Sequence, residues 1–135
     1  MIASIDLFIK SRFFSYLRFL QFFAAIVIFT FAALMPQKYL AGVHATDSSL
    51  HFLGNVLLFL SASLALYKKL RFTTLVVLLL PYSVAIELAQ WLTPARQVDP
   101  KDIFNNIAGL VTGLLIVYCL TNTWIRLSEK HLGKL

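Results

Sequence analysis

The sequence contains little cysteine, glycine, proline or charge. Its 135 residues include one Cys, five Gly, four Pro and six acidic residues. A single cysteine excludes a disulfide framework, and the low glycine and proline content excludes collagen-like and low-complexity chains. The lone Cys119 lies inside an apolar run, and we interpret it as a small packing residue. Hydrophobic residues make up 59% of the chain and charged residues 13%. Because soluble domains are less apolar and more highly charged, this balance predicts an integral membrane protein.

The basic residues mark the ends of apolar runs. Twelve Lys and Arg against six acidic residues give a net charge of +6, which would suit a nucleic-acid-binding protein if the charges formed one stripe. Nine of the twelve are grouped instead before the first run (Lys10, Arg12, Arg18), between the second and third (Lys68, Lys69, Arg71) and after the last (Arg126, Lys130, Lys134). This is the pattern of charges that flank membrane spans. We therefore predict no nucleic-acid partner.

Four apolar runs are long enough to cross a hydrocarbon layer as helices. They cover residues 19–35, 50–67, 72–92 and 103–124, and none shows the apolar/polar alternation of a barrel strand. In the third run, Pro81 is expected to kink the helix, with Ser83 satisfying the backbone groups that the proline frees. The sequence thus predicts an all-α membrane protein, a four-transmembrane-helix bundle.

The charges of the connecting segments predict how the chain is organised around these spans. Residues 1–18 mix apolar and charged positions and are predicted to form a short N-terminal interfacial helix, followed by a transmembrane domain over residues 19–125 and a tail over 126–135. A signal peptide cleaved near residue 45 is a poorer interpretation, because the first apolar run is longer than a signal sequence needs. Lys and Arg are more numerous in alternate segments, which predicts a multi-pass protein of the cytoplasmic membrane with both termini in the cytoplasm.

Polar residues within the runs gather toward one side of the predicted membrane. They form three stripes at helical spacing: His51, Gly54 and Asn55; Ser83, Glu87 and Gln90; and Asp102, Asn106, Gly109 and Gly113. The glycines offer surfaces for close helix packing, and Asn55 and Asn106 need hydrogen-bond partners inside lipid. A connecting segment that carries Arg96, Asp99 and Lys101 joins the second and third stripes. We expect the stripes to meet as one polar cluster.

Each charged member of these stripes has a functional and a structural interpretation. A carboxylate within a membrane span is costly, so Glu87 is the main candidate for a catalytic acid or base. Asp102 is either a second such group or a helix N-cap, and His51 is either a proton carrier or metal ligand or a helix-end residue. Arg96 either holds a carboxylate or binds a phosphate, and Lys101, Gln90, Asp99, Asn106 and Asn55 complete the predicted binding set. No zinc-type spacing, nucleophile elbow or phosphate-binding glycine loop occurs, so no metal or cofactor is predicted.

The order and spacing of these residues resemble those of the VanZ-like family. The resemblance covers about residues 47–118 and rests on His51-Phe52 with Gly54-Asn55, on Glu87-x-x-Gln90, and on Arg96-x-x-Asp99-x-x-Asp102-x-x-x-Asn106-x-x-Gly109. Many relatives carry Lys three residues before the histidine, where this chain has Ser48, and Lys101 is a candidate to replace that lysine. The resemblance implies a small polytopic envelope protein, in a family named for a member linked to resistance against teicoplanin-type glycopeptides.

Three kinds of function fit this set of residues. The first is a protein that binds or modifies a lipid-linked or amphiphilic envelope component, with Arg96 and Lys101 contacting its phosphate. The second is a membrane enzyme in which Glu87 or Asp102 acts as a general base. The third is a small proton-coupled transporter, which is the weakest because Glu87 lies far from the centre of its span. A membrane lipid or lipid-linked envelope component is the predicted partner, and association into a homo-oligomer is left open.

Overall fold

The computed structural model describes residues 11–36, 47–66, 69–92 and 99–132, with side chains in all of these except residues 47 and 127–132. Four helices account for nearly all of them: α1 (Arg12–Leu34), α2 (Asp47–Ala65), α3 (Phe72–Trp91) and α4 (Pro100–Leu132). Each is long and apolar enough to cross a membrane. No strand occurs in the described residues. The predicted all-α fold with four membrane-spanning helices is confirmed.

The first and last helices extend beyond the predicted spans. Ser11 caps α1, since its hydroxyl accepts a hydrogen bond of 3.1 Å from the backbone N–H of Phe14. Residues 12–18 therefore continue directly into the first span and do not form a separate interfacial helix, while residues 1–10 of the predicted lead-in lie outside the described part. At the other end, α4 continues to Leu132, so most of the predicted tail prolongs the last helix.

Helices α2 and α4 form the most extensive contact in the bundle. A Cβ atom added to Gly109 would lie 2.4 Å from the carbonyl oxygen of Phe52, and one added to Gly113 would lie 2.8 Å from Cβ of Phe59. Both distances are shorter than van der Waals contact, so glycine is what allows the two backbones to approach this closely. The fully buried Phe59 packs at this interface and belongs to the hydrophobic core.

Helix α1 packs against α2 and α3. The ring of Phe29 occupies the space over Gly54, where an added Cβ would lie 2.3 Å from a ring carbon. One turn of contact is polar, because the Thr30 hydroxyl lies 2.6 Å from the hydroxyl of Tyr82 and also donates to a carbonyl of its own helix. The glycine of α2 is thus covered by a bulky side chain of α1, and the glycines of α4 are covered by α2.

Helix α3 contains Pro81 in its interior and is assigned as one helix from Phe72 to Trp91. Ser83 does not take the predicted role of satisfying the backbone beside the proline. Its hydroxyl donates instead to Oδ1 of Asn55, at 2.5 Å. The reason is that Asn55 is fully buried and its side-chain carbonyl requires a donor, which the approach of α2 to α3 places opposite Ser83.

The helices alternate in direction, which gives the bundle two chemically different ends. We call one the polar end: there α1 and α3 finish, α2 and α4 begin, and the side chains of Ser48 and Asp102 are hydrogen-bonded. The opposite, basic end carries Arg12, Arg18, Lys69, Arg71 and Arg126. Large apolar side chains such as Phe23, Leu57 and Val77 are exposed between the two ends, as expected of surfaces that face lipid.

Candidate functional site

Seven polar side chains lie buried between three helices at the polar end. We call them the polar cluster: His51 and Asn55 on α2, Ser83, Glu87 and Gln90 on α3, and Asp102 and Asn106 on α4. None is more than 4% exposed. Within each helix they are three or four residues apart, so each helix presents them on one face. Polar groups at this depth are costly unless they bond to one another, and the distances show that they do.

A directed chain of hydrogen bonds runs through the cluster. The hydroxyl of Ser83 donates to Oδ1 of Asn55, Nδ2 of Asn55 donates to Oδ1 of Asn106 at 2.6 Å, and Nδ2 of Asn106 donates to Oε2 of Glu87 at 3.2 Å. Every donor points the same way, toward the carboxylate. Glu87 therefore accepts a hydrogen bond at this oxygen, which fixes the position of its carboxyl group.

His51 connects the carboxylate to a fourth helix through Gln90. Nε2 of Gln90 donates to the carbonyl oxygen of Ala33 on α1 at 2.7 Å and lies 3.4 Å from Nε2 of His51. The other ring nitrogen of His51, Nδ1, lies 3.7 Å from Oε2 of Glu87. The imidazole ring thus lies between the amide of Gln90 and the carboxyl group of Glu87.

Asp102 approaches the cluster from the first turn of α4. Its Oδ1 accepts a hydrogen bond of 2.8 Å from the hydroxyl of Ser48 on α2. A different acid, Asp99, bonds the backbone at the N-terminus of α4. Its Oδ1 accepts a hydrogen bond of 2.9 Å from the backbone N–H of Lys101. The side chain of Asp102 therefore joins the N-termini of two helices. The hydrogen bond to the backbone that a helix N-cap would make comes from Asp99.

Three titratable members of the cluster meet closely. His51, Glu87 and Asp102 each offer one nitrogen or oxygen atom within 4.8 Å of those of the other two. Such a set can share a proton, and its ligand types are those that hold a divalent cation. Our prediction that the chain holds no metal stays a prediction, and proton sharing is the use that it leaves to these three groups.

An open pocket of about 460 Å³ lies directly beside this group of acids. It is lined by Ser48, Pro100, Lys101, Phe104 and Asn105. Lys101 supplies a positive charge, and the ring of Phe104 is 71% exposed beside it. The hydrogen bond from Ser48 to Asp102 forms part of the boundary between this pocket and the polar cluster. Asp102 therefore lies one side chain, that of Ser48, away from an accessible surface that is both cationic and apolar.

The described residues place most of the predicted site in one region. His51, Asn55, Glu87, Gln90 and Asn106 are linked by the contacts given above, and Asp102 adjoins them. Arg96 lies outside the described residues, so its predicted contact with a phosphate or a carboxylate has no structural counterpart here. Lys101 lines the same pocket as Ser48, which is the arrangement needed if Lys101 replaces the lysine that many VanZ-like relatives carry at position 48.

Apart from Ser48, three pocket residues were not among the predicted site residues. Pro100, Phe104 and Asn105 lie on the first turns of α4 and line the pocket. The sequence signal for Phe104 and Asn105 is that they lie between Asp102 and Asn106, two predicted site residues one helical turn apart. Their role depends on how α2 and α4 are aligned, which residue spacing along one helix does not reveal.

Comparison with known proteins identifies the family to which this architecture belongs. No curated protein and no solved structure gives a significant match. The family model described as VanZ/LLP1 matches residues 4–122. This range extends beyond the segment on which the resemblance rested and includes all of α1, α2 and α3 and most of α4. The chain is a four-span membrane protein that belongs to the VanZ/LLP1 family.

Proposed function

We propose that the polar end binds the head group of a lipid-linked or amphiphilic component of the cell envelope. The observation that carries this proposal is the open pocket beside the buried acids, with Lys101 and Phe104 on its wall. A lysine ammonium attracts a phosphate, while an exposed ring beside it accepts the first apolar atoms of the chain that follows. An amphiphile that is held in the membrane would reach this pocket from the side.

The polar cluster supports such binding by holding one charged group in place. Asn55, Asn106 and Glu87 are almost completely buried and bond to one another, so they act on a ligand by fixing the side chains beside the pocket and not by direct contact. Ser48 lines the pocket and donates to Asp102, which makes its hydroxyl the point where this rigid network meets a ligand without reorganising on binding. The VanZ-like family is named for a member linked to resistance against teicoplanin-type glycopeptides, which supports a ligand in the cell envelope.

The proposed orientation has the polar end facing outward. The basic end carries Arg12, Arg18, Lys69 and Arg71, whereas Lys101 is the basic residue of the pocket. Positive charge is retained on the cytoplasmic side of membrane proteins. A reporter that is active only in the cytoplasm should therefore be active when fused after Leu135. Activity of an export-dependent reporter at that position would reverse the orientation and argue against an extracytoplasmic ligand.

The direct test compares two lysines at opposite ends of the bundle. The full chain, expressed in a host that is sensitive to lipoglycopeptides, is expected to lower the susceptibility of that host. Lys101→Gln should remove this protection, because it deletes the positive charge of the pocket. Lys69→Gln is the matched control, since Lys69 is exposed at the basic end, and it should leave protection unchanged. Full protection by Lys101→Gln at equal protein abundance would contradict the proposed pocket.

A second candidate function rests on the close approach of three titratable groups. His51, Glu87 and Asp102 could move a proton to or from a lipid-linked phosphate substrate, in which case the protein is an enzyme. An enzyme changes the mass of an envelope lipid, whereas a binding protein does not. Lipid extracts from cells that express the chain, compared with extracts from cells that express Glu87→Gln, distinguish the two. A new lipid species that disappears with Glu87→Gln would establish catalysis.

A further inference from the structure

A second groove lies at the opposite end of the bundle, away from the polar cluster. It has a volume of about 410 Å³ and is lined by residues of α1 and by one residue of α2: Phe14, Leu17, Arg18, Leu20, Ala24 and Leu64. Apart from Arg18 these side chains are apolar. The amide of Gln21, which also borders the groove, is engaged with Ser61 through hydrogen bonds of 2.9 Å and 2.5 Å.

Arg18 lacks a partner for part of its guanidinium group. Its Nε is buried and has no hydrogen-bond partner among the described residues. The guanidinium carbon lies 5.3 Å from the centre of the Phe14 ring, a cation–π distance that holds the group at the wall of the groove. A buried donor without an acceptor is unfavourable, so the environment is expected to supply an anionic oxygen.

The surroundings of Arg18 are positively charged. Lys69 lies with its Nζ 4.5 Å from the centre of the Phe19 ring, which brings the α2–α3 turn level with Arg18. Arg71 follows on the same turn, and the sequence has no Asp or Glu in residues 11–36 or 61–86. The groove therefore carries a positive charge at one mouth, with no acid of the surrounding segments to neutralise it. Its apolar part runs from Arg18 to Ala24, about 9 Å along the helix.

We propose that this groove is a binding site for an anionic phospholipid. The phosphate bonds to Arg18 at the level of the membrane interface, and one acyl chain lies along Leu20, Ala24 and Leu64. Arginine suits this position because its planar group donates to two phosphate oxygens at once. The site is separate from the proposed head-group pocket and does not depend on the function assigned to that pocket.

The test measures which lipid the purified full chain retains. The protein is equilibrated with equal amounts of phosphatidylglycerol and phosphatidylcholine, and bound lipid is identified by native mass spectrometry. We expect wild type to retain phosphatidylglycerol preferentially. Arg18→Gln should reduce that retention roughly tenfold, the effect of losing hydrogen bonds to a charged group. Arg12→Gln, which removes the same charge at an exposed position outside the groove, should change it by less than about twofold, because exposed charges contribute little.

A second pair of variants tests the acyl part of the site. Ala24→Phe fills the groove and leaves every charge in place, so it should reduce retention as strongly as Arg18→Gln. Ala32→Phe adds the same volume on an exposed part of α1 and should have no effect. Because these variants retain Arg18, they remain informative if Arg18→Gln does not fold, as judged by size-exclusion chromatography.

Three results would overturn the proposal. Wild type without preference for phosphatidylglycerol would show that the groove does not select a negative lipid. Equal losses in Arg12→Gln and Arg18→Gln would attribute the preference to overall charge. Displacement of the lipid by an excess of glycerol 3-phosphate would show that a phosphate alone fills the site. Lys101→Gln should retain phosphatidylglycerol as wild type does. A failure of the proposed head-group pocket would therefore appear in the susceptibility assay of Lys101→Gln and not in its lipid retention.

Discussion

The two ends of the bundle join their helices with different kinds of polar contact. At the polar end, side chains from three helices form a chain of hydrogen bonds that ends on Glu87. Elsewhere in the bundle, polar contacts are separate pairs that also use backbone carbonyls: Gln21 with Ser61 toward the basic end, and Thr30 with Tyr82 nearer the polar end. Neutral pairs of this kind are sufficient to join helices in lipid. The two ends therefore differ in one testable respect, the presence of buried carboxylates at the polar end.

The largest expected effect concerns the close contact between α2 and α4, on which both ends of the bundle depend. Gly109→Ala would place a methyl group against the carbonyl oxygen of Phe52, a backbone atom that cannot move without displacing α2. We expect a loss of about 3 kcal/mol or failure to fold. Gly54→Ala is the control, since it meets the ring of Phe29, a side chain that can rotate away. Thermal unfolding in detergent should rank Gly109→Ala well below Gly54→Ala, and equal stabilities would contradict the geometry.

The next effect separates charge from hydrogen bonding at Glu87. Glu87→Gln keeps an oxygen that can accept from Asn106, whereas Glu87→Ala leaves that donor unpaired at a cost of about 1–3 kcal/mol. We expect Glu87→Gln to be folded and inactive, and Glu87→Ala to be both less abundant and inactive. Membrane abundance and lipoglycopeptide susceptibility are measured together. A folded, fully active Glu87→Gln would make the polar end resemble the basic end, with Glu87 serving only to join helices.

A smaller effect is expected where this chain differs from many of its relatives. Ser48→Lys places an ammonium beside Oδ1 of Asp102, in the pocket that Lys101 already lines. If Lys101 replaces the usual lysine, Ser48→Lys should be active and should restore protection that Lys101→Gln has lost. The double variant is compared with Lys101→Gln alone in the susceptibility assay. Ser49→Lys, on the exposed neighbouring position, should not rescue. No rescue by Ser48→Lys would mean that a lysine at position 48 and Lys101 have different functions.

The features that could be predicted from the sequence are those set by spacing along one helix. The four spans follow from the length of the apolar runs, and the stripe of Glu87 and Gln90 follows from helical periodicity. The partners of Ser48 and Ser83 were not predictable, because each lies on another helix, and the alignment of one helix against another is set by packing between them and not by spacing along either. The start of α1 at Arg12 was also not predicted. It depends on the cap at Ser11, whereas the mixture of polar and apolar side chains in that segment favoured a separate interfacial helix.

The smallest effect is expected at the basic end, where the polar pairs are neutral. Replacing both members of one pair, as in the double variant Gln21→Leu with Ser61→Ala, removes a donor and an acceptor together and leaves apolar groups in their place. The free energy of unfolding should change by less than about 1 kcal/mol, and the double variant should be more stable than Ser61→Ala alone, which leaves Oε1 of Gln21 without its donor.

At the polar end, Asn55→Leu with Ser83→Ala should behave oppositely, because Oδ1 of Asn106 then loses the donor that Asn55 supplied and the carboxylate loses its support. Both double variants are compared by thermal unfolding in the same detergent. Equal tolerance at the two ends would mean that the chain leading to Glu87 is no more cooperative than two isolated pairs, and that the position of the carboxylate is maintained by α3 alone.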